Sequence, residues 1–266
     1  MLCRLALGSD AIDAASFTVI RLVSGVMALM LIHSFVSRAD HTENKGSWLS
    51  AIMLFVYAIT FSFAYISLAT GTGALILFGA VQLTMMLSAL LSGDRPTAGE
   101  WLGALLAAGG LVYLVLPGVT APSVSGSLLM AAAGTAWGVY SLRGRGIRNP
   151  LAYTTFNFVR TLPFVFIILA VSVHGAELSG HGVVLAVLSG AFASGIGYAV
   201  WYVALTGLSS TQAAVVQLLV PVLAAAGGVL FMAEEISLRL VIAAGVIFAG
   251  VSLSFLRVSA VRSSNQ

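Results

Sequence analysis

Two arginines stand inside long apolar runs: Arg21 in "ASFTVIRLVSGVMALMLI" (15–32) and Arg160 in "TFNFVRTLPFVF" (155–166). A guanidinium in such a setting can hold an anionic or zwitterionic ligand or pair with a neighbouring helix. It can also carry its charge back to the membrane surface on its flexible stem. Arg21 lies close enough to the start of its run for the last option, and the expectation is a structural anchor, with ligand contact as the alternative. Asn157 is three residues before Arg160, a spacing at which helical neighbours meet. Gln82 and Gln217 each sit in a "VQL" tripeptide inside an apolar run; a buried amide either bonds another helix or faces a cavity. Tyr57, Phe78, Trp137, Tyr140 and Tyr198 could wall a pocket with apolar faces and a few polar tips. These seven, with Arg160 and Asn157 as weaker members, form the candidate substrate-binding set.

Other chemistries find little support. Asp10, Asp13, Asp40, Glu43, Asp94, Glu100, Glu177, Glu234 and Glu235 all fall between or at the ends of the apolar runs. An acid-based proton relay at membrane depth is therefore not expected; facilitated diffusion, exchange or coupling through another group is. His174 and His181 flank Glu177 in a short glycine-containing loop, and no metal site is expected there. Lys45, in "TENKGSW", lacks the upstream glycines of a phosphate loop. No Ser–His–Asp or paired-carboxylate arrangement is visible. The expectation is a protein that is not an enzyme and needs no cofactor.

The elements that would position these residues are membrane spans. Of 266 residues, 59% are hydrophobic and only 8% charged, against about 25% charged in soluble domains. A soluble fold of this size could not hide so much apolar side chain. The bilayer is thus the main partner, and the net charge of +3 belongs to loops rather than to a nucleic-acid surface. The single cysteine, Cys3, rules out an internal disulfide. The opening "MLCRLALGSD" does not read as a cleavable signal. About 20 apolar residues cross a bilayer as a helix, and nine runs qualify: 16–37, 49–69, 72–92, 99–117, 126–142, 151–173, 182–205, 212–232 and 238–256.

The runs repeat. A shift of 139 places Arg21 on Arg160, Phe17 on Phe156 and Arg4 on Arg143. A shift of 140 aligns "GDRPT" (93–97) with "AEEIS" (233–237) and Gly110 with Gly250; between these blocks a shift of 137 pairs Tyr65 with Tyr202 and Leu68 with Leu205. The expected division is a first repeat at 1–117, a second at 118–257 and a short tail at 258–266. The second repeat opens with a span, 126–142, whose counterpart would precede Met1. With the C-terminus cytoplasmic, Arg38, Lys45, Arg95, Arg143, Arg145, Arg148, Arg257 and Arg262 fall inside and only Arg4 and Arg239 outside, a positive-inside bias. The two repeats are then inverted relative to each other, the construction of many secondary transporters.

Four stretches resemble the EamA type of the drug/metabolite transporter superfamily: "GDRPTAGEWLGALLAAGGLVYL", "AEEISLRLVIAAGVIFAGV", "AAAGTAWGVYSLRGR" and "YAVWYVALTGLSSTQAAVVQLLVPVLAA". The resemblance implies an all-α polytopic membrane protein: a ten-helix 5+5 inverted-repeat bundle, with nine helices visible here, in the inner (plasma) membrane. It also implies a small-molecule substrate, exported or exchanged by alternating access, with amino acids and related compounds as the expected class. The rival reading is a truncated or non-transporting membrane protein that acts as an interaction partner. Neither the substrate nor the oligomeric state is fixed by these motifs.

Overall fold

Most helices of this chain begin at a residue that can receive an amide hydrogen bond, and the sequence marks them. Ser47, Ser123, Ser179 and Ser237 each accept from the backbone N–H three residues on. Thr97 with Glu100, and Ser209 with Gln212, form reciprocal capping boxes. Asp13 and Asn149 do the same for the helices that follow them. Such caps satisfy amides that the first helical turn leaves open.

A computed structural model of the chain describes residues 2–7, 11–36, 46–94, 96–116, 122–172, 175–232 and 237–256. Its helices are α1 (Leu2–Leu7), α2 (Ala14–Val36), α3 (Trp48–Ala64), α4 (Thr70–Leu91), α5 (Ala98–Val115), α6 (Val124–Gly144) and α7 (Pro150–Ser172). Next come α8 (Gly180–Leu188), a π-helical segment (Ser189–Ile196) and α9 (Gly197–Leu205), then α10 (Ser210–Val216), α11 (Leu219–Met232) and α12 (Leu238–Phe255). Apart from an isolated antiparallel bridge between Ile12 and Leu178, regular structure among the described residues is helical. Seven stretches are long and apolar enough to cross a membrane. Each of the nine expected runs has its helix. The two outside the seven are α3, which is apolar but only 17 residues long, and α6, which carries Ser125, Ser127, Thr135, Ser141 and Arg143.

Two runs are less regular than their hydropathy predicts. The run 212–232 is interrupted at Gln217 and Leu218, between α10 and α11. Pro221 explains the place: it has no N–H, and its ring crowds the carbonyl four residues back, which is that of Gln217. The run 182–205 is α-helical at both ends and π-helical through "SGAFASGI". Of the charges used for orientation, Arg38, Lys45, Arg95, Arg257, Arg262 and the side chain of Arg4 lie outside the described residues. So do Asp10, Asp40, Glu43, Glu234, Glu235, His41 and His174.

The chain forms two compact units, Met1–Thr84 with Gly118–Leu208, and Met85–Pro117 with Ser209–Gln266. Each takes segments from both sides of residue 118, and the division falls inside α4. In the first unit α2 packs on α3, α7, α8 and the π segment, while α3 packs on α6 and α7. Gly134 and Gly138 of α6 lie against Leu77, Ala80, Val81 and Thr84 of α4, the close approach that small residues allow in lipid.

In the second unit α5 and α12 pack antiparallel. Gly103 faces Gly250 and Ser254, and Gly110 faces Ala243, Val246 and Ile247. A shift of 140 converts the pair Gly103–Gly250 into Ala243–Gly110, so the contact pattern maps onto itself. At the capped ends, Ser209 Oγ donates to Glu100 Oε1 at 2.6 Å, and Gln212 Nε2 donates to the Ser254 carbonyl at 3.2 Å.

Gly103→Val should therefore destabilise the protein by about 1–3 kcal/mol, as overpacking does. Gly109→Ala, where an added methyl meets nothing within 4 Å, should leave thermal unfolding in detergent unchanged or slightly raised; equal losses at both glycines would refute this packing.

A second expectation concerns Asp13, ahead of α2. Its carboxylate accepts from the N–H groups of Ala15, Ser16 and Glu177 at 2.9–3.0 Å. Partial burial raises its pKa, but hydrogen bonds from Ser16, Glu177 and Ala15 outweigh that and hold it below 3.8. The folded value is the depressed one, so the stabilisation is present at neutral pH and is lost as pH falls through it. Amide exchange at Ser16 and Glu177 should accelerate in that acid range, and Asp13→Asn should lack the step.

Candidate functional site

Arg21 is the eighth residue of α2, and its side chain is only 5% exposed. It does not reach for the surface. Nε donates to Ser194 Oγ at 2.8 Å, and Nη2 donates to Tyr198 Oη at 2.8 Å and to Tyr57 Oη at 3.4 Å. Its Cζ stands 5.4 Å from the ring centre of Tyr57 and 5.6 Å from that of Phe61, within cation–π range. All its hydrogen-bond partners among the described residues are neutral hydroxyls, and Nη1 has none. Hydroxyl bonds and ring faces soften the burial of a cation without neutralising it.

Neighbouring helices supply this box in matched pairs. Tyr57 and Phe61 are four apart on α3. Ser194 and Tyr198 are four apart across the junction of the π segment with α9, and i, i+4 residues share a helix face. At the shift of 137, Tyr57 corresponds to position 194 and Phe61 to position 198. Positions related by that shift thus meet around one arginine. Gly190 makes the approach possible: a methyl there would collide with the Arg21 carbonyl and the Ser24 hydroxyl.

Trp137 of α6 extends the wall. Its ring centroid lies 4.5 Å from that of Tyr198, 5.0 Å from Tyr57 and 5.7 Å from Tyr140. Tyr57, Phe61 and Trp137 are half-buried, whereas Tyr140 and Tyr198 are buried. Tyr140 leads on to a second polar group in the same unit. Tyr202 Oη donates to the Tyr140 carbonyl at 2.8 Å, and Tyr153 shares a 2.7 Å hydrogen bond with Ser50, which also accepts from Arg143 Nε.

Of the expected set, Tyr57, Trp137, Tyr140 and Tyr198 come together. Phe78 packs on the adjoining cluster of Ala64, Leu68, Leu77, Met130 and Ala133, which Tyr57 and Phe61 also flank. Asn157 is buried, and its Oδ1 accepts from the Ser47 N–H at 2.9 Å, helping to hold the start of α3. Arg160 sits elsewhere in the unit: Nη1 donates to the Phe156 carbonyl at 3.1 Å, and its Cζ lies 5.8 Å from the Trp48 ring centre. Gln82 is buried in α4 within the first unit. Gln217 belongs to the second unit, where Nε2 reaches Met85 Sδ at 3.1 Å.

Three residues of the box were not in the expected set: Arg21 itself, Phe61 and Ser194. The shift of 137, applied to Tyr57 and Tyr198, would have found the last two.

Residues 124–256 match the EamA-like transporter family. An uncharacterised protein of Pseudomonas aeruginosa is 51% identical over 255 residues, spanning 95% of this chain and 88% of its own length. The chain belongs to the EamA-like transporter family. An EamA-like protein is a membrane transporter of small molecules, and two further relatives fit that reading. They are uncharacterised transporters of Archaeoglobus fulgidus, 24% and 27% identical, each aligned to 74% of this chain and to 71% and 72% of their own lengths. A solved crystal structure superposes with a TM-score of 0.77 at 21% identity, covering 96% of this chain and 93% of its own; it carries the fold alone.

If Arg21 only anchored helices, its removal would unfold the EamA bundle. If its charge is held for a ligand, removal relieves a cost. Replacing a whole buried ion pair by apolar groups is often neutral or stabilising, and removal of Arg21 strands no partner charge, because its hydrogen bonds among the described residues end on hydroxyls. Arg21→Met is expected to leave the thermal midpoint in detergent within a few degrees, a change of about 1 kcal/mol or less. A loss of the folded state would assign Arg21 to structure.

Proposed function

We propose that this EamA-like protein is a secondary transporter that carries small organic metabolites by alternating access, exporting or exchanging them across the inner membrane with its C-terminus in the cytoplasm. The two repeats, 1–117 and 118–257, are read as inverted copies, and the self-mapping contacts of α5 and α12 support that reading for the fifth helix of each. The observation that carries the site is Arg21: a buried cation with a free nitrogen, boxed by Tyr57, Phe61, Trp137 and Tyr198. Pockets for small molecules combine apolar walls with a few convergent polar groups, and this box has that make-up. Tyr140 continues its wall, and Phe78 borders it. Gln82 of the same unit belongs to the binding set, with Asn157 and Arg160 as its weaker members.

An empty box carries its charge unpaired, and a charge at membrane depth costs about 2.5–3.5 kcal/mol on insertion scales. A bound solute that lowers this cost makes the loaded carrier easier to reorient than the empty one. Exchange should therefore outrun net efflux. The test is uptake of labelled solute into proteoliposomes loaded with the same solute or left empty, with amino acids and other small carboxylates as the panel. Exchange at least about tenfold faster than net flux corresponds to 1.4 kcal/mol of that cost. Arg21→Met should abolish both. Flux that is equal with and without internal solute would refute the exchange mechanism, and full flux in Arg21→Met would remove the box from the transport path.

A further inference from the structure

We propose that the Arg21 box selects small apolar monocarboxylates, planar ones best, over zwitterions, dianions and neutral analogues. The inference deepens the transport reading above and rests on it for its site. Three features of the box set the substrate's charge and shape.

The first is charge. Arg21 contributes one positive charge, and its hydrogen bonds end on the hydroxyls of Ser194, Tyr198 and Tyr57. A monoanion brings the occupied box to neutrality. A zwitterion leaves the net charge at one and adds an ammonium with no carboxylate in the box to receive it. A dianion inverts the charge and buries the excess. In a low-dielectric setting unpaired charge is the dominant cost.

The second is geometry of donation. Nη1 is buried and carries hydrogen-bond donors without an acceptor. A carboxylate oxygen is the acceptor that suits a guanidinium, through short charge-assisted bonds roughly twice as strong as neutral ones. Tyr57 Oη, at 3.4 Å from Nη2, offers a hydroxyl beside the guanidinium for the second carboxylate oxygen.

The third is the wall. The half-buried faces belong to Tyr57, Phe61 and Trp137, so the substrate's body meets rings rather than amides or hydroxyls. Flat apolar groups stack on such faces, adding affinity beyond area alone.

Trp137 supplies a readout that does not depend on transport. In the detergent-purified full chain, tryptophan fluorescence is titrated with benzoate, with its near-isosteric neutral partner benzamide, and with phenylalanine and phthalate. The expected result is saturable quenching by benzoate that is lost in Trp137→Phe. Benzamide, phenylalanine and phthalate should bind at least about tenfold more weakly, as loss of a charge-assisted pair implies. Arg21→Gln should weaken benzoate by a similar factor and leave benzamide unmoved. Benzamide or phenylalanine binding as tightly as benzoate, or no benzoate binding at all, would overturn the proposal. Should Arg21→Gln fail to fold, the benzoate–benzamide pair on the unaltered chain still decides. Benzoate binding without exchange in proteoliposomes would sink the transport reading and keep the site. Exchange of another solute, insensitive to benzoate, would do the reverse.

Discussion

Lipid offers a guanidinium no hydrogen-bond partner, so Arg21 has to be satisfied by neighbouring helices, and much of the first unit is arranged to do it. The bonds to Ser194 and Tyr198 tie α2 to the π segment and α9, and the bond to Tyr57 ties it to α3. These contacts need close backbones. Gly190 lets the π segment lie directly on the Arg21 turn of α2. π-Helical segments recur at functional sites, and this one ends beside the hydroxyls that Arg21 uses. A regular α-helix through Ser189–Ile196 would rotate Ser194 and Tyr198 relative to the residues before them, and the two would no longer share the direction that α8 sets.

The second unit solves a different problem with the same materials. α5 and α12 meet through small residues, with Glu100, Ser209 and Gln212 linking the capped ends and Arg239 of α12 lying over the Tyr113 ring of α5 at 5.1 Å. Without a hydrophobic drive between helices in lipid, tight packing and interhelical hydrogen bonds hold such a pair. The antiparallel contact pattern is unchanged by the 140-residue shift, the observation on which the proposal of inverted copies rests for these two helices. Around Arg21 the equivalence is only positional: Tyr57 and Ser194 correspond, as do Phe61 and Tyr198, but the side chains differ.

Much of this was legible in the sequence because membrane helices announce themselves. Apolar length gave the nine runs, and Ser, Thr, Asp and Asn marked where most of them start. Four of the aromatics that cluster near Arg21 were legible as bulky rings with polar tips inside apolar runs. The interruption at Gln217 was half visible, since Pro221 marks a perturbed helix without saying on which side it opens. The π segment was not visible: "SGAFASGI" reads as small residues for packing, and its pitch is set by the neighbours it must fit. Arg21 was visible as an anomaly but not as a centre. Distance from a helix start suggests that an arginine can reach the surface; whether it does depends on which hydroxyls other helices bring within reach. The compact units were hidden for the same reason, because a repeat describes descent along the chain and packing need not follow it.

Arg21 and Arg160, related by the 139-residue shift, sit in different surroundings. Arg160 is half-buried, with Nη1 on the Phe156 carbonyl of its own turn and Trp48 as an aromatic neighbour. Arg21 is buried, and its hydrogen bonds among the described residues end on neutral hydroxyls. Two such buried charges in one unit would repel each other and double the desolvation cost. In the transport reading proposed above, a single buried cation is matched by a single anion, and the contrast between Arg21 and Arg160 leaves this unit with one such charge to set what binds.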